Sequence, residues 1–169
     1  MVVAGVRLEM PSNQPVVLLR RAGTETHLPI WIGSVEATAI AFALEGVEPP
    51  RPLTHDLIVN LLEAVNNRMV RLEITEMSDG VFYSQMVLAD GTTIGSRPSD
   101  GIAVALRCGA EIVASEELLA EAGVVISESE ATAPDGEAMP EEEVEKFRQF
   151  LEDVDPSDFG GGPDTPPTS

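Results

Sequence analysis

Twice along this 169-residue chain, three short β-patterned runs lead directly into a helical pattern. That order restricts the fold more than any single motif. Met1–Met10, Pro15–Arg21 and Glu25–Ile32 carry the strand pattern, with turn residues at Pro11–Gln14 and Gly23-Thr24. Ser34–Leu44 then takes helical spacing through Ala37, Ile40, Ala41 and Leu44 until Gly46 stops it. In the second block, Arg68–Met77 and Val81–Ala89 flank the hairpin signal Ser78-Asp79-Gly80. Asp90-Gly91 turns into Thr92–Ser96, and a helix follows from Pro98 to Cys108. Strands joined by such tight turns pair antiparallel, because parallel neighbours need a long crossover between them. The expected class is therefore α+β across residues 1–126: two antiparallel β-meanders with packed helices, not a doubly wound sheet.

The remaining elements fit around these blocks. Val47–Pro52 (V-E-P-P-R-P) admits no regular structure, since proline removes donors and fixes φ. Thr54 opens another helix, with Leu57, Ile58, Leu61, Leu62 and Val65 expected on one apolar stripe, and Asn66-Asn67 ends it. The Pro98 helix carries its own stripe, Ile102, Ala103, Leu106 and Ala110, and Gly109 caps it. Glu111–Ala114 reads as a short strand, Ser115–Ala120 as a short helix, and Gly123–Ile126 as an extended piece.

The net charge of −19 is unevenly distributed. Residues 1–110 hold 12 acids and 8 bases, whereas residues 111–169 hold 17 acids and 2 bases. Residues 127–140 read as an acidic linker and residues 141–159 as a helical segment striped with Val144, Phe147, Phe150, Leu151 and Val154. Residues 160–169 read as a disordered tail. A lone helix of that length does not hold itself in water, so it is expected to dock on the body or on a protein partner. Nucleic-acid binding rests on a basic footprint, and the total charge opposes it. The body opposes it less, because all eight of its bases are arginine, the better phosphate ligand. No run approaches a membrane span, no secretory signal is present, and the single Cys108 excludes an internal disulfide. These features predict a cytoplasmic protein with no membrane association. Trp31, Phe42, Phe82 and Tyr83 are most of the body's aromatics, which predicts a core completed across a homodimer.

Candidate chemistry gathers at helix starts. Arg97 and Asp100 lie three residues apart over the first turn of the Pro98 helix, where free N–H groups make an anion site. The Arg97 guanidinium either grips a phosphate bidentately or pairs with Asp100 and fixes the turn. A phosphodiester-cleaving site with Mg²⁺ or Mn²⁺ would draw on Asp56 and Asp100 as metal ligands, with Glu36 or Glu45, although no metal motif is present. A metal-free route would use a histidine as acid or base. His55, in a helix start near Arg51, is the better candidate, and His27, inside a strand, reads as structural. Arg51, Arg97 and Ser99 are the candidates for phosphate contact, while Ser99 as a nucleophile lacks a base and reduces to capping. The Thr54 and Pro98 helix starts both carry Arg-Pro followed by polar residues and Asp, so they are expected to lie side by side.

Four segments, H-L-P-I-W-I-G-S-V-E-A-T-A-I at 27–40, R-P-L-T-H-D-L at 51–57, F-Y at 82–83 and R-P-S-D-G-I-A-V-A-L-R at 97–107, resemble the bifunctional nuclease family in order and spacing. The resemblance covers roughly residues 1–126. It implies a compact α+β domain, a homodimer or larger assembly, and nuclease activity on RNA and single-stranded DNA in at least some members. It carries no established catalytic set. The chain departs from the family pattern at Gly95, where many relatives have Asp, and at Gly101, where Ala is more usual. The first departure removes a carboxylate that could have served a metal. The rival expectation is a non-enzymatic homo-oligomeric module that binds a partner through its acidic C-terminal helix.

Overall fold

A computed structural model describes residues 1–126. The linker expected at 127–140, the helical segment at 141–159 and the tail at 160–169 lie outside the described residues. The order is β1 (Val2–Glu9), β2 (Gln14–Arg20), β3 (Thr26–Trp31), α1 (Ser34–Glu45), α2 (Thr54–Ala64), β4 (Met69–Ser78), β5 (Val81–Leu88), β6 (Thr93–Ser96), α3 (Pro98–Cys108), β7 (Glu111–Ala114), α4 (Glu116–Ala122) and β8 (Val124–Val125). The class is α+β, with two four-stranded sheets ordered β1-β2-β3-β8 and β6-β5-β4-β7.

Both meanders pair antiparallel, as short turns require. The β4–β5 hairpin closes through Asp79 and Gly80, both at positive φ, which matches the twist of the flanking strands. The two late strands are placed by the helices before them. α3 carries the chain back across the second sheet, so β7 joins β4 in parallel, with Leu72 opposite Ile112. α4 then returns it to the first sheet, where β8 lies antiparallel to β3.

One core joins the layers. Val17, Leu19, Leu28 and Ile30 of the first sheet meet Leu72, Ile74 and Ile112 of the second, with Ala37 and Ile40 of α1, Ile102 and Val104 of α3, and Leu118 of α4. The alanines Ala37, Ala39, Ala103 and Ala105 are buried where α1 and α3 pack, as their small size allows.

Two local expectations need correction. Only Ile58, Val59 and Leu62 of α2 pack against the core, whereas Leu57, Leu61 and Val65 are exposed. The broad stripe is wider than the contact, because α2 leans on α3 along one edge. Ser99 is not the cap of α3: Arg97 holds the extended N-cap position, and Ser99 is buried inside the first turn. Of the aromatics, Phe42 is buried, whereas Trp31 and Tyr83 are exposed.

Gly101 is where α3 comes closest to the second sheet. A Cβ there would lie 2.3 Å from Leu72 Cδ1 and 3.1 Å from Ser96 Oγ. Leu72 is fully buried, so it has little room to yield. Gly101→Ala is expected to lower stability by about 1–2 kcal/mol, overpacking outweighing alanine's better helix propensity. Urea denaturation should show Leu72→Val partly restoring the double variant, and strict additivity of the two changes would refute the close-contact explanation. At Gly95, by contrast, an added Cβ meets open space.

Candidate functional site

Three helix N-termini meet through their side chains. Glu36 lies in the first turn of α1, His55 in that of α2, and Asp100 in that of α3. Arg97 ties the first and third together. Its Nε donates to Asp100 Oδ2 at 2.7 Å, and its Nη2 donates to Asp100 Oδ1 at 3.0 Å and to Glu36 Oε1 at 2.7 Å. His55 Nε2 lies 3.4 Å from the same Asp100 Oδ1. The expected adjacency of the Thr54 and Pro98 helix starts is thus present, through His55 and Asp100.

Local backbone choices set up each side chain. Gly33, the N-cap of α1, leaves room for Glu36 to fold back over the helix start, since a Cβ at 33 would lie 2.3 Å from Glu36 Oε2. Pro98 presets the first turn of α3. Just before it, buried Ser84 donates to the Ser96 carbonyl at 2.7 Å and fixes the end of β6 from which Arg97 emerges.

The electrostatics follow from exposure. Burial would push the Asp100 carboxyl up, but hydrogen bonds and charge from Arg97 and His55 outweigh it and hold Asp100 below its ordinary carboxylate range. Arg97 is held still more firmly protonated by Asp100 and Glu36. The Arg97 side chain is 66% exposed, and its Nη1 makes no bond among the described residues. His55 is 8% exposed. A carboxylate only accepts, so the contact with Asp100 makes Nε2 the protonated nitrogen and leaves Nδ1 bare in the neutral ring. No buried polar side-chain atom among the described residues lacks a partner, so the unpartnered Nδ1 reaches solvent.

Asp56 faces elsewhere. Its Oδ2 accepts from the Leu53 N–H at 2.8 Å, and its Oδ1 accepts from Arg107 Nε. Both residues line a cleft of about 590 Å³ between the end of α1, the proline loop, α2 and α3. The pairing of Asp56 with Asp100 as joint ligands is therefore not formed: each carboxylate is committed to its own arginine. Among the described residues no group of three or more His, Cys, Asp or Glu side chains is arranged so that it could hold a metal ion. This donor set does not fit Mg²⁺ or Mn²⁺ as arranged, because Glu36 and Asp100 share one guanidinium. Glu45 takes part in no such cluster. Arg51 is exposed and unpaired among the described residues, four positions before His55. Ser99 is buried, and its hydroxyl makes no hydrogen bond there.

Arg107 closes the R-P-S-D-G-I-A-V-A-L-R segment, where the sequence alone assigns it no role. A basic residue in a last helical turn is a legible signal. Its partner, 51 residues away, is not.

The bifunctional nuclease domain family matches residues 16–127. An uncharacterized protein of Mycobacterium tuberculosis is 48% identical over 160 residues, spanning 93% of this chain and 95% of the relative. Bifunctional nuclease 1 of Oryza sativa subsp. indica is 26% identical over 102 residues, which cover 57% of this chain and 31% of the plant protein. Bifunctional nuclease 2 of Oryza sativa subsp. japonica is 24% identical over 127 residues, covering 71% and 39% respectively. The family's match extends through all three helix starts of the site and most of both sheets, and on that evidence the chain belongs to the bifunctional nuclease domain family.

Proposed function

We propose that this protein hydrolyses phosphodiester bonds in RNA and single-stranded DNA, with its chemistry at the junction of α1, α2 and α3. The observation that carries the reading is the His55–Asp100 contact, which leaves the other ring nitrogen unpartnered, at a carboxylate that an exposed arginine also holds. In the reaction, His55 Nδ1 takes a proton from water, the water oxygen attacks phosphorus, and the P–O bond to the leaving ester oxygen breaks. That oxygen takes the proton back from the imidazolium. Asp100 orients the ring and stabilises its charged form. Arg97 Nη1, with the positive ends of the helices, steadies the charge on the phosphoryl oxygens. Arg51 extends the cationic edge along the strand. Arg97 does not act as a bidentate phosphate fork, since Asp100 already occupies that face.

Purified protein is expected to degrade single-stranded RNA and DNA oligonucleotides, and to do so with EDTA present. Cleavage only with added Mg²⁺ or Mn²⁺ would replace this mechanism by a metal-assisted one in which Arg97 must leave Glu36 and Asp100. The second reading is a homo-oligomeric binding module whose acidic C-terminal segment engages a protein partner. The charge of residues 111–169 and the exposed Trp31 and Tyr83 favour it. It takes over if no condition gives cleavage and light scattering returns a dimer mass.

A further inference from the structure

The loop Val47–Pro52, V-E-P-P-R-P, holds three prolines, whose fixed φ angles leave it little freedom to collapse. Pro49 and Pro52, with Val59 of α2 and Leu106 of α3, wall the cleft of about 590 Å³. That volume is in the range of small-ligand sites, about 300–1,000 Å³. The polar side chains on the cleft are Glu48, Asp56, Asn60 and Arg107.

These four are not equally available. Asp56 is committed to the Leu53 N–H and to Arg107. Arg107 uses Nε on Asp56 and Nη1 on the Ala39 and Ala103 carbonyls at 3.0 and 2.9 Å, which leaves Nη2 without a bond among the described residues. No buried polar side-chain atom among them lacks a partner, so Nη2 is open to solvent although the side chain is only 10% exposed. The bonds made by the rest of the guanidinium fix its direction. Glu48 and Asn60 are exposed and make no side-chain bond among the described residues. The cleft thus offers one fixed donor, one uncommitted carboxylate and one amide between apolar walls.

Two carboxylates against one guanidinium make these side chains net negative, so the cleft disfavours a phosphate. It suits a neutral planar group that presents donors to Glu48 and an acceptor to Arg107. Among the nucleobases, guanine alone carries two adjacent donors, N1–H and N2–H, beside an acceptor, O6, on one edge, and a carboxylate accepts both donors at once. The cleft also lies next to the helix junction. His55 and Asp56 are consecutive in α2, and their partners Asp100 and Arg107 are seven positions apart on α3, about 10 Å along the axis.

We propose that this cleft is a guanine pocket, which reads a base next to the phosphodiester held at the helix junction. Glu48 accepts from N1–H and N2–H, and Arg107 Nη2 donates to O6. Unstacked bases of single strands are read in this way, by hydrogen bonds on the Watson–Crick edge. The pocket's place beside the scissile bond rests on the hydrolysis reading, whereas its recognition of the base does not.

The test is titration of the full chain with guanosine, adenosine, cytidine and uridine, followed by the Arg107 Nε–H and Asn60 side-chain amide resonances in NMR. Guanosine is expected to shift both saturably, and the other three to bind about tenfold more weakly or worse. Glu48→Gln should weaken guanosine binding about tenfold or more, because the amide oxygen serves one donor and the amide NH₂ opposes the other. That variant should keep the wild-type melting temperature, since Glu48 has no partner to lose among the described residues. Absence of saturable shifts, equal affinity for adenosine and guanosine, or an affinity unchanged in Glu48→Gln would each overturn the proposal. Guanosine binding by a protein that cleaves no single strand would uphold the pocket and remove the hydrolysis reading. Cleavage without guanosine binding would do the reverse.

Discussion

His55→Ala is expected to lower the rate of single-strand cleavage by about 10² to 10⁴, the ordinary contribution of a positioned acid or base. Asp100→Asn should produce a smaller but clear loss, because the amide oxygen still accepts from His55 Nε2 while the charge that stabilises the imidazolium is gone. The fold should survive both. Glu36 still holds Arg97 in Asp100→Asn, and the exposed Arg97–Asp100 pair contributes at most about 1 kcal/mol. The pH response separates the two residues. Asp100 has its folded value depressed, so its stabilisation is complete above its unfolded value and fades only as the pH falls through the folded one. It is thus ionised across the neutral range and cannot itself create a break in the rate profile there. Rates for His55→Ala and Asp100→Asn equal to wild type would remove the helix junction from the chemistry and point to another site or a contaminant.

The site was partly legible because helix starts announce themselves. Pro98 after Arg97 and the spacing of Arg97 from Asp100 are local signals, and the structure joins those residues by short hydrogen bonds. Glu36, three residues past Gly33, was equally readable as a helix-start acid. What no local rule revealed was its distant partner, since Glu36 meets Arg97 across 61 residues. The separation of Asp56 from Asp100 had the same origin. Both acids follow an Arg-Pro pair, a similarity that points to one shared centre. In α2, His55 faces α3 and Asp56, the next residue, turns instead to Leu53 and Arg107. Adjacent helical positions point about 100° apart, so one residue of offset sends them to different neighbours.

The strand order was legible for a different reason. Tight turns such as Asp79-Gly80 allow only antiparallel neighbours, so both meanders could be read before any packing was known. The partners of Glu111–Ala114 and Val124–Val125 could not, because a short strand after a helix pairs wherever that helix delivers it. α3 brings β7 to the open side of β4, and α4 brings β8 to β3. The exposure of Leu57, Leu61 and Val65 had a similar cause: periodicity gives the apolar face of α2 but not how much of it the neighbour covers.

Arg107→Ala is expected to be the most destabilising single change in either arginine cluster, costing about 3–5 kcal/mol in urea unfolding at neutral pH. The side chain is only 10% exposed. It holds three helices at once: Nε donates to Asp56 in α2, and Nη1 donates to the Ala39 carbonyl of α1 at 3.0 Å and to the Ala103 carbonyl of α3 at 2.9 Å. Removing it leaves the partly buried Asp56 carboxylate without its cation and opens a gap beside the cleft under the proline loop. Arg97→Ala makes the contrast, since Arg97 also meets two carboxylates but is 66% exposed and should cost about 1 kcal/mol or less. Adding Asp56→Asn to Arg107→Ala should recover part of the loss by removing the stranded charge, whereas Asp56→Asn alone should destabilise. If Arg107→Ala costs no more than Arg97→Ala, the α1–α2–α3 junction is held by its alanine packing alone, and the inner ion pair adds nothing to it.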